Sequence, residues 1–382
     1  MKQVYMDHSA TTPVDPQVVD AMLPYFTEKF GNSSSFHSFG REAAKALSAA
    51  RHKIADCIGA KSNEIIFTSG GTESDNLAIL GTVGQYAGVS HIITSVIEHP
   101  AVLNTCAYLE RIGHEVTYIP VDADGIIDIE ALVSSIKENT VLISVMHANN
   151  EIGSIQPIRE IADIANSKGI VFHTDAVQSL GKIPVNVNDL GVDLLSISSH
   201  KIHGPKGAGM LYIKDGTSIS PIVFGGGHER GLRPGTENIS GIVGLATAVD
   251  LAMQRYDVDS RHLLDLRNSL IEKTMATIDG VRLNGHSTKR LPNNVNLSFR
   301  SVEGESLLMM LDLKGIAVST GSACSSKSLK ASHVLASIGL AADFIHGSLR
   351  ISLGRGNSME DIDYLVSSLQ EIVSRLREIS AL

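Results

Sequence analysis

The stretch SISSHKIHGPKGAG, residues 196–209, decides the predicted fold of this chain. It begins within a short apolar run, 194–197, and then carries hydroxyls, an imidazole and an amine, the amine belonging to Lys201. A second apolar run, which begins at Val171, ends at Asp175. Both runs are typical of buried strands. In an open α/β sheet the ends of neighbouring strands meet at one edge, where ligands bind. The pattern therefore predicts Lys201 and Asp175 at such an edge.

This set of groups is the one that pyridoxal phosphate requires. The cofactor needs a lysine for its Schiff base, an acid that keeps its ring nitrogen protonated, and polar groups around its phosphate. Lys201 and Asp175 match the first two needs, and Ser198 and His200 are candidates for the third. The alternative, from the residues alone, is a buried aspartate and a surface lysine beside a Gly/Pro turn.

Length and composition are those of a globular protein that is large enough for two domains. The chain has 382 residues, of which 43% are hydrophobic and 19% are charged. No apolar stretch approaches the roughly 20 residues of a membrane helix. The first residues lack the apolar core of a signal peptide, so we expect a cytoplasmic protein. The net charge of −9, with scattered basic residues, argues against direct binding to nucleic acid.

The chain divides into two regions of different pattern. Up to about residue 255 short apolar runs alternate with helical periods, which predicts a mainly parallel, doubly wound sheet. A helix predicted near 238–255 leads into the polar stretch 256–261, which we take as the boundary. We therefore predict a large domain over 15–256. Residues 1–14 and 257–382 are assigned to a small α+β domain.

The three cysteines differ in their surroundings. Cys57 and Cys106 lie on apolar helical faces, where we expect buried and unreactive thiols. Cys324 instead lies in TGSACSSKS, among small polar residues that would not bury it. Three scattered cysteines exclude a disulfide framework or a zinc knuckle.

A glycine-rich turn is the candidate phosphate site. A strand predicted at 65–68 runs into Gly70, Gly71 and Thr72, which open a helix. Free backbone N–H groups and the positive end of the helix dipole favour an anion there. The alternative is a glycine turn with a threonine cap.

Other candidates follow neighbouring strands. His99 is placed to stack on the cofactor ring, and Gln178 to donate to its phenolic oxygen. Asn149 and Asn150 are candidates for facing cofactor or substrate, with an Asx turn as the alternative. Arg350 suits bidentate binding of an α-carboxylate, with a structural salt bridge as the alternative.

The segment GGGHERGLRPGTEN, residues 225–238, is too rich in glycine for a core element. It carries Arg230, Arg233, Thr236 and Glu237. We interpret it as a segment that reaches a phosphate across a dimer interface. The alternative is a surface loop.

These motifs carry a family resemblance. The chain resembles the pyridoxal-phosphate-dependent cysteine desulfurases of the NifS/IscS type, in the class V aminotransferase superfamily of fold type I. The resemblance extends from YMDHSATTPVDP to ISLGRGNSMEDID, and its most specific elements are SSHKIHGPKG, GGGHERGLRPGTEN and TGSACSS. Two positions depart from the family pattern: Ser33 stands where proline is expected, and Gly71 where alanine is common.

The resemblance implies a role for each matching residue. Lys201, Cys324 and His99 would be catalytic, as Schiff-base lysine, sulfur acceptor and ring-stacking group. Asp175 would pair with the pyridine nitrogen, and Gln178 would reach the ring oxygen. The phosphate would be bound by Gly71, Thr72, Ser198 and His200, with Thr236 contributed by the partner subunit. The substrate would be held by Asn150 and Arg350.

The implied activity is removal of sulfur from L-cysteine, giving L-alanine and a persulfide on Cys324. The resemblance further implies a homodimer that delivers sulfur to iron–sulfur scaffold proteins and to tRNA-thiolation sulfurtransferases. It implies no resident metal, with Cys324 a candidate iron–sulfur ligand shared with a scaffold.

Several alternatives share part of this chemistry. A class V aminotransferase or a kynureninase-like lyase shares the lysine and the aspartate, but neither needs Cys324. A selenocysteine lyase, with nearly the same chemistry, stays open.

Overall fold

The structure is a computed structural model that describes residues 2–321 and 331–379. Its strands, in chain order, are β1 Val4–Tyr5, β2 Ile65–Thr68, β3 His91–Ser95, β4 Glu115–Ile119, β5 Thr140–Ser144, β6 Val171–Asp175, β7 Leu194–Ser198, β8 Gly209–Ile213, β9 Val281–Leu283, β10 Asn294–Phe299, β11 Ile316–Ala317 and β12 Ser348–Ser352. Its α-helices are α1 Pro16–Met22, α2 Pro24–Thr27, α3 Ser38–Ile58, α4 Gly71–Val83, α5 Pro100–Arg111, α6 Ile129–Ser134, α7 Ile158–Lys168, α8 Val187–Leu190, α9 Ile239–Thr277, α10 Gly304–Leu313, α11 His333–Ser337, α12 Ala342–Ile345 and α13 Met359–Ile379.

The centre of the fold is a seven-stranded sheet of order β2-β8-β7-β6-β5-β3-β4. Strands β7, β6, β5, β3 and β4 pair in parallel, and β8 and β2 add antiparallel pairs at one side. Parallel neighbours require crossover helices, which cover both faces of the sheet. Strands β5 and β7 are therefore buried along their whole length and read as continuous runs. The predicted α/β class with a mainly parallel sheet is confirmed.

The crossover helices show the periodicity expected of a helix that covers a sheet. In α7 the buried residues are Ile158, Ile161, Ala162 and Ala165, which follow the i, i+3, i+4, i+7 pattern of one face. Capping fixes where such helices begin: the side chain of Asp128, for example, accepts a hydrogen bond from the Ala131 N–H at the start of α6.

The helix predicted near 238–255 is longer than the sequence indicated. Helix α9 continues without a break to Thr277, through the polar stretch 256–261. Its buried residues stop at Val249 and resume at Leu263, because the helix leaves one hydrophobic core and enters another. The polar stretch lies between these cores, so it resembled a linker. The prediction that the helix ends there was wrong.

The second core belongs to the C-terminal part of the chain. A three-stranded antiparallel sheet, of order β12-β10-β9, packs with α10 and α13 around it. Strand β1 pairs in parallel with β11, and Val4 and Met6 are buried in this core. The N-terminal segment thus packs with the C-terminal part. The domain bounds 15–256 and 257–382 stay a prediction, which the two separate cores support.

The topology brings the carboxyl ends of β6 and β7 to one edge of the large sheet, where Asp175 and Ser198 are their last residues. Among the described helices, none combines the length and the apolar character needed to cross a bilayer.

Candidate active site

A cavity of about 270 Å³ lies at the carboxyl ends of β6 and β7. It is lined by Ser9, Ala10, Gly71, Thr72, Asp75, His99, Met146, Asn150, Asp175, Val177, Gln178, Ser198, His200, Lys201 and Arg350. The structure thus brings together the candidate residues of the sequence with three exceptions. Thr236 is exposed and Asn149 is turned to the backbone, so neither is part of this lining, and Cys324 lies outside the described residues.

The amine of Lys201 is held against the N-terminal segment of the chain. Its Nζ donates hydrogen bonds to the carbonyl oxygens of Ser9 at 2.5 Å and Ala10 at 2.7 Å. Thr12 holds the same segment against the sheet edge, because its N–H and its hydroxyl each donate a hydrogen bond of 2.9 Å to the carbonyl oxygen of His200. Sequence reasoning missed this wall of the cavity. Its one signal was the run of small residues in DHSATTP.

Two buried carboxyl groups face the cavity. Asp175 accepts a hydrogen bond from the Val177 N–H at 2.8 Å, and its pKa is raised by burial against the opposing effects of His99 and Lys201. Burial, and then the nearby Asp175, also raise the pKa of Asp75. Among the described atoms, Oδ1 of Asp75 has no hydrogen-bond partner. A positively charged group in the cavity would stabilise both carboxylates.

The turn before α4 is shaped by close backbone packing. Gly70 has φ +154°, which side chains rarely adopt, and a Cβ on Gly209 would lie 2.5 Å from the Cα of Gly70. Both positions therefore require glycine. The N–H groups of Gly71 and Thr72 lie at the N-terminus of a 13-residue helix, α4. This arrangement can bind an anion, with the Ser198 hydroxyl and His200 on the same cavity wall.

Both cavity histidines are neutral groups near pH 7. Burial lowers the pKa of His200 to about 4, and Lys201 contributes to that shift. Burial also lowers the pKa of His99. The Nδ1 atom of His99 accepts a hydrogen bond from the Ala101 N–H at 3.1 Å, so the proton of the neutral ring is on Nε2. His99 therefore begins α5 and presents a fixed imidazole to the cavity.

The guanidinium of Arg350 is buried and only partly paired. Its Nη2 contacts Oδ1 of Asp7 at 2.9 Å and its Nη1 donates to the carbonyl oxygen of Asn150 at 3.4 Å. Its Nε has no partner among the described atoms. The structural salt bridge that the sequence analysis gave as the alternative for Arg350 is thus present, with Asp7 as its partner. Arg350 nevertheless lines the cavity, and its binding of a substrate carboxylate stays a prediction.

The two asparagines of the loop after β5 are placed differently. Asn149 directs its amide nitrogen to the carbonyl oxygen of Ile97 at 2.9 Å, and its Oδ1 accepts from the N–H groups of Glu151 and Ile152. The Asx-turn alternative is therefore correct for Asn149. Asn150 lines the cavity.

The loop 225–238 packs on its own subunit in this chain. Arg233 pairs with Glu73 of α4 at 2.9 Å, and Glu229 pairs with Arg51 at 2.5 Å. Thr236 is exposed. Its predicted contact with a partner's phosphate site stays a prediction.

The two described cysteines are protonated thiols near neutral pH. Burial raises the pKa of Cys106 to about 12 and that of Cys57 to about 11. Cys106 is buried as expected, whereas Cys57 is only partly buried, because one side of α3 is open to solvent.

Comparison with known proteins decides the family. The class-V aminotransferase family model matches residues 4–365. The cysteine desulfurase IscS of Dictyoglomus turgidum is 53% identical over 380 residues, which cover 99% of this chain and 96% of that protein. The chain belongs to the class-V aminotransferase family.

Solved structures of similar proteins agree in fold. A NifS-like protein is 40% identical, with a TM-score of 0.92 over 98% of this chain and all of that one. SspA in complex with cysteine is 38% identical, with a TM-score of 0.83 over 92% of this chain and 99% of its own. This class-V chain is therefore a pyridoxal phosphate enzyme of fold type I, as the resemblance implied.

The cavity of this class-V enzyme fits the cofactor. Lys201 provides an amine, and Asp175 with Asp75 provides buried carboxyl groups for a protonated ring nitrogen. The N-terminus of α4 provides free N–H groups for the phosphate.

Gly71, one of the two departures from the family pattern expected from the sequence, packs against Val177. A Cβ at position 71 would lie 2.8 Å from Cγ2 of Val177, so Val177 fills the space of that methyl group. We expect Gly71→Ala to lower the free energy of unfolding by about 1–2 kcal/mol through overpacking. Urea unfolding of Gly71→Ala, Val177→Ala and the double variant checks this. The double variant should lose less than the sum of the singles. Strict additivity of the two changes would contradict the packing argument.

Proposed function

We propose that this cysteine desulfurase transfers the sulfur atom of L-cysteine to Cys324 and releases L-alanine. The observation that supports the proposal is one cavity lined by the amine of Lys201, the buried acid Asp175 and the guanidinium of Arg350. The amine can transfer a proton at an α-carbon, the buried acid can keep a ring nitrogen protonated, and the guanidinium can bind an α-carboxylate.

Pyridoxal phosphate, when bound, supplies the electron sink for the α-carbon. The residues do the rest. Arg350 binds the carboxylate of the amino acid through its guanidinium, and Asp175 holds a proton at the ring nitrogen. The Lys201 amine takes the α-proton and carries it within the cavity, as a general base and then a general acid. Asp7, paired with Arg350, fixes the guanidinium in the cavity wall.

Cys324 completes the reaction as the nucleophile. Its thiolate attacks the sulfur of the substrate, so that a new S–S bond forms and the C–S bond breaks. The electron pair of the broken bond stays with the β-carbon, which gains a proton. L-Cysteine and the Cys324 thiol thus give L-alanine and a Cys324 persulfide, with atoms and electrons balanced.

A comparison of substrates tests this function. The purified enzyme should release L-alanine from L-cysteine, and a thiol reductant should release one sulfide for each alanine. Pyruvate with ammonia in place of alanine would indicate a lyase, and transfer of the amino group to a keto acid would indicate an aminotransferase. Turnover of L-selenocysteine with none of L-cysteine would indicate a selenocysteine lyase.

A homodimer is part of the proposal, with Thr236 completing the partner's phosphate site. Exposed aromatic side chains support it: Phe36 is 94% exposed, Phe224 86%, Phe30 64% and Phe26 58%. Phe30 also stacks on Phe39, and a cluster of exposed aromatic side chains is typical of a surface that a second copy would cover. The exposed position of Thr236, outside its own cavity, fits the same arrangement.

Mixed dimers test the shared site. We expect Thr236→Asp to be inactive, because a carboxylate would repel the phosphate, and Lys201→Ala to be inactive as well. After co-expression of the two variants, half of the dimers would each contain one intact site, which restores about a quarter of wild-type activity. Light scattering should give the mass of a dimer. An active monomer, or no recovery from the mixture, would contradict the shared site.

Sulfur acceptors belong to the proposal only as chemical classes. The TGSACSS segment supports delivery to iron–sulfur scaffold proteins and tRNA-thiolation sulfurtransferases. Within residues 2–321 and 331–379 no group of three His, Cys, Asp or Glu side chains could hold a metal ion. A shared cluster at Cys324 and a cytoplasmic location stay predictions.

A further inference from the structure

Lys182 is a buried lysine to which the reaction assigns no role. Its side chain lies next to the cofactor cavity and is only 8% exposed. Its Nζ donates to the carbonyl oxygen of Gln178 at 3.0 Å and to Oε1 of the same residue at 3.3 Å. Among the described residues, no carboxylate lies within ion-pair distance of this amine. Burying a charged amine without a counter-ion costs free energy. Burial accordingly lowers the pKa of Lys182 to about 7.

The contacts of Lys182 connect it to the cavity through one side chain. The Nε2 of Gln178 donates to the carbonyl oxygen of Ser9 at 3.0 Å, and the same oxygen accepts from Nζ of Lys201. Lys182, Gln178, Ser9 and Lys201 thus form one chain of hydrogen bonds. Gln178 itself lines the cofactor cavity, whereas Lys182 does not.

This chain of hydrogen bonds settles which way the Gln178 amide points. With the amide reversed, its NH₂ group would face the amine of Lys182, and its oxygen would face the carbonyl oxygen of Ser9. Both contacts would then be unfavourable. An amide nitrogen has two N–H donors, and the Ser9 carbonyl is the one acceptor that Nε2 has among the described atoms. Lys182 and Ser9 together therefore hold the amide so that its second N–H is available to a group bound in the cavity that Gln178 lines.

The surroundings of Lys182 give it no other evident task. A small cavity of about 50 Å³ behind Lys201 is lined by Lys182, His8, His203 and Arg355, among others. Asp15, which also lines it, is paired with Arg255 and Arg355. A methionine would fill the volume of Lys182 without the cost of burying an amine, so packing alone does not explain the lysine.

We propose that Lys182 is a positioning residue that holds the Gln178 amide with its nitrogen toward the cofactor cavity. This inference rests on the proposed function only in that the cavity binds pyridoxal phosphate. Lys182 does not line the cofactor cavity and acts through Gln178, which does.

The test is the affinity of the apoprotein for pyridoxal phosphate, read from the absorbance of the bound cofactor. We expect Lys182→Met and Gln178→Ala each to weaken binding about tenfold, the value of one well-placed hydrogen bond. The double variant should also lose about tenfold, because Lys182 has nothing to position once the amide is gone. Lys182→Arg, which keeps the donor, should recover most of the affinity.

A matched control separates positioning from structural damage. Arg290 is a similarly buried basic residue that donates to backbone oxygens of Ile152 and His286, away from the cavity. Arg290→Met should lower stability without changing the tenfold effect of Gln178→Ala. If Lys182→Met does not fold, Lys182→Gln, which keeps an amide donor, replaces it in the same cycle and should lose less affinity than Gln178→Ala.

Two outcomes would overturn the inference. One is wild-type affinity in Lys182→Met. The other is a double variant that loses about a hundredfold, the product of independent effects. Failure of the wild-type protein to bind pyridoxal phosphate would instead refute the proposed function, so the two failures are distinguishable.

Discussion

Lys201→Ala should abolish the release of alanine and of sulfide. Loss of proton transfer alone removes a factor of about 10²–10⁴. The variant also loses the amine that attaches the cofactor, since Lys201 is the only lysine among the described residues that line the cavity. We expect borohydride to fix the cofactor to the wild-type protein but not to the variant. Absorbance after reduction and dialysis, together with an alanine assay, measures both effects.

Lys206 provides the matched control for this prediction. It lies in the same SSHKIHGPKG motif but is exposed to solvent. Lys206→Ala should therefore keep the cofactor band and the activity. Lys201→Ala protein that still fixed the cofactor with borohydride would assign the attachment to another amine, and the site would have to be assigned anew.

Cys324→Ser should separate binding from sulfur transfer. Lys201, Asp175 and Arg350 are unchanged in this variant, so it should bind L-cysteine and change the cofactor absorbance as the wild type does. A hydroxyl is far less nucleophilic toward sulfur than a thiolate. Alanine release should fall below about one thousandth of the wild-type rate, a loss of about 4 kcal/mol.

The other two cysteines serve as controls for Cys324. Cys57→Ser and Cys106→Ser should keep their activity, because burial holds both groups as protonated thiols. Cys106 is fully buried, so its replacement should cost about 1 kcal/mol of stability. Full turnover by Cys324→Ser would refute the persulfide mechanism and favour a lyase that acts by direct elimination or a selenocysteine-specific enzyme.

Mass spectrometry adds a direct measurement of the sulfur. Wild-type protein treated with L-cysteine in the absence of reductant should gain the mass of one sulfur atom on the peptide that contains Cys324. The peptides that contain Cys57 and Cys106 should gain none. Sulfur found on those peptides instead would place the acceptor elsewhere.

The sequence by itself determined the class of fold and predicted most of the residues that line the cavity. Local patterns carry this information, because a buried parallel strand reads as an apolar run and a glycine turn precedes its helix. Lys201, Asp175 and the turn at Gly71 could be placed at one sheet edge for that reason. The carboxyl ends of parallel strands always meet there. The same logic placed His99 and Gln178 at this edge, and both line the cavity.

Only the tertiary structure decided which distant segments complete the cavity. Ser9 and Ala10 reach Lys201 because the N-terminal segment crosses to the large sheet, and Asp75 is brought close to Asp175 by the packing of α4 on the sheet. No sequence periodicity predicts these two contacts, because contacts between residues far apart in sequence depend on how whole elements pack. The length of α9 and the roles of Asn149 and Lys182 were likewise invisible. Each depends on a partner that the fold, not the local sequence, supplies.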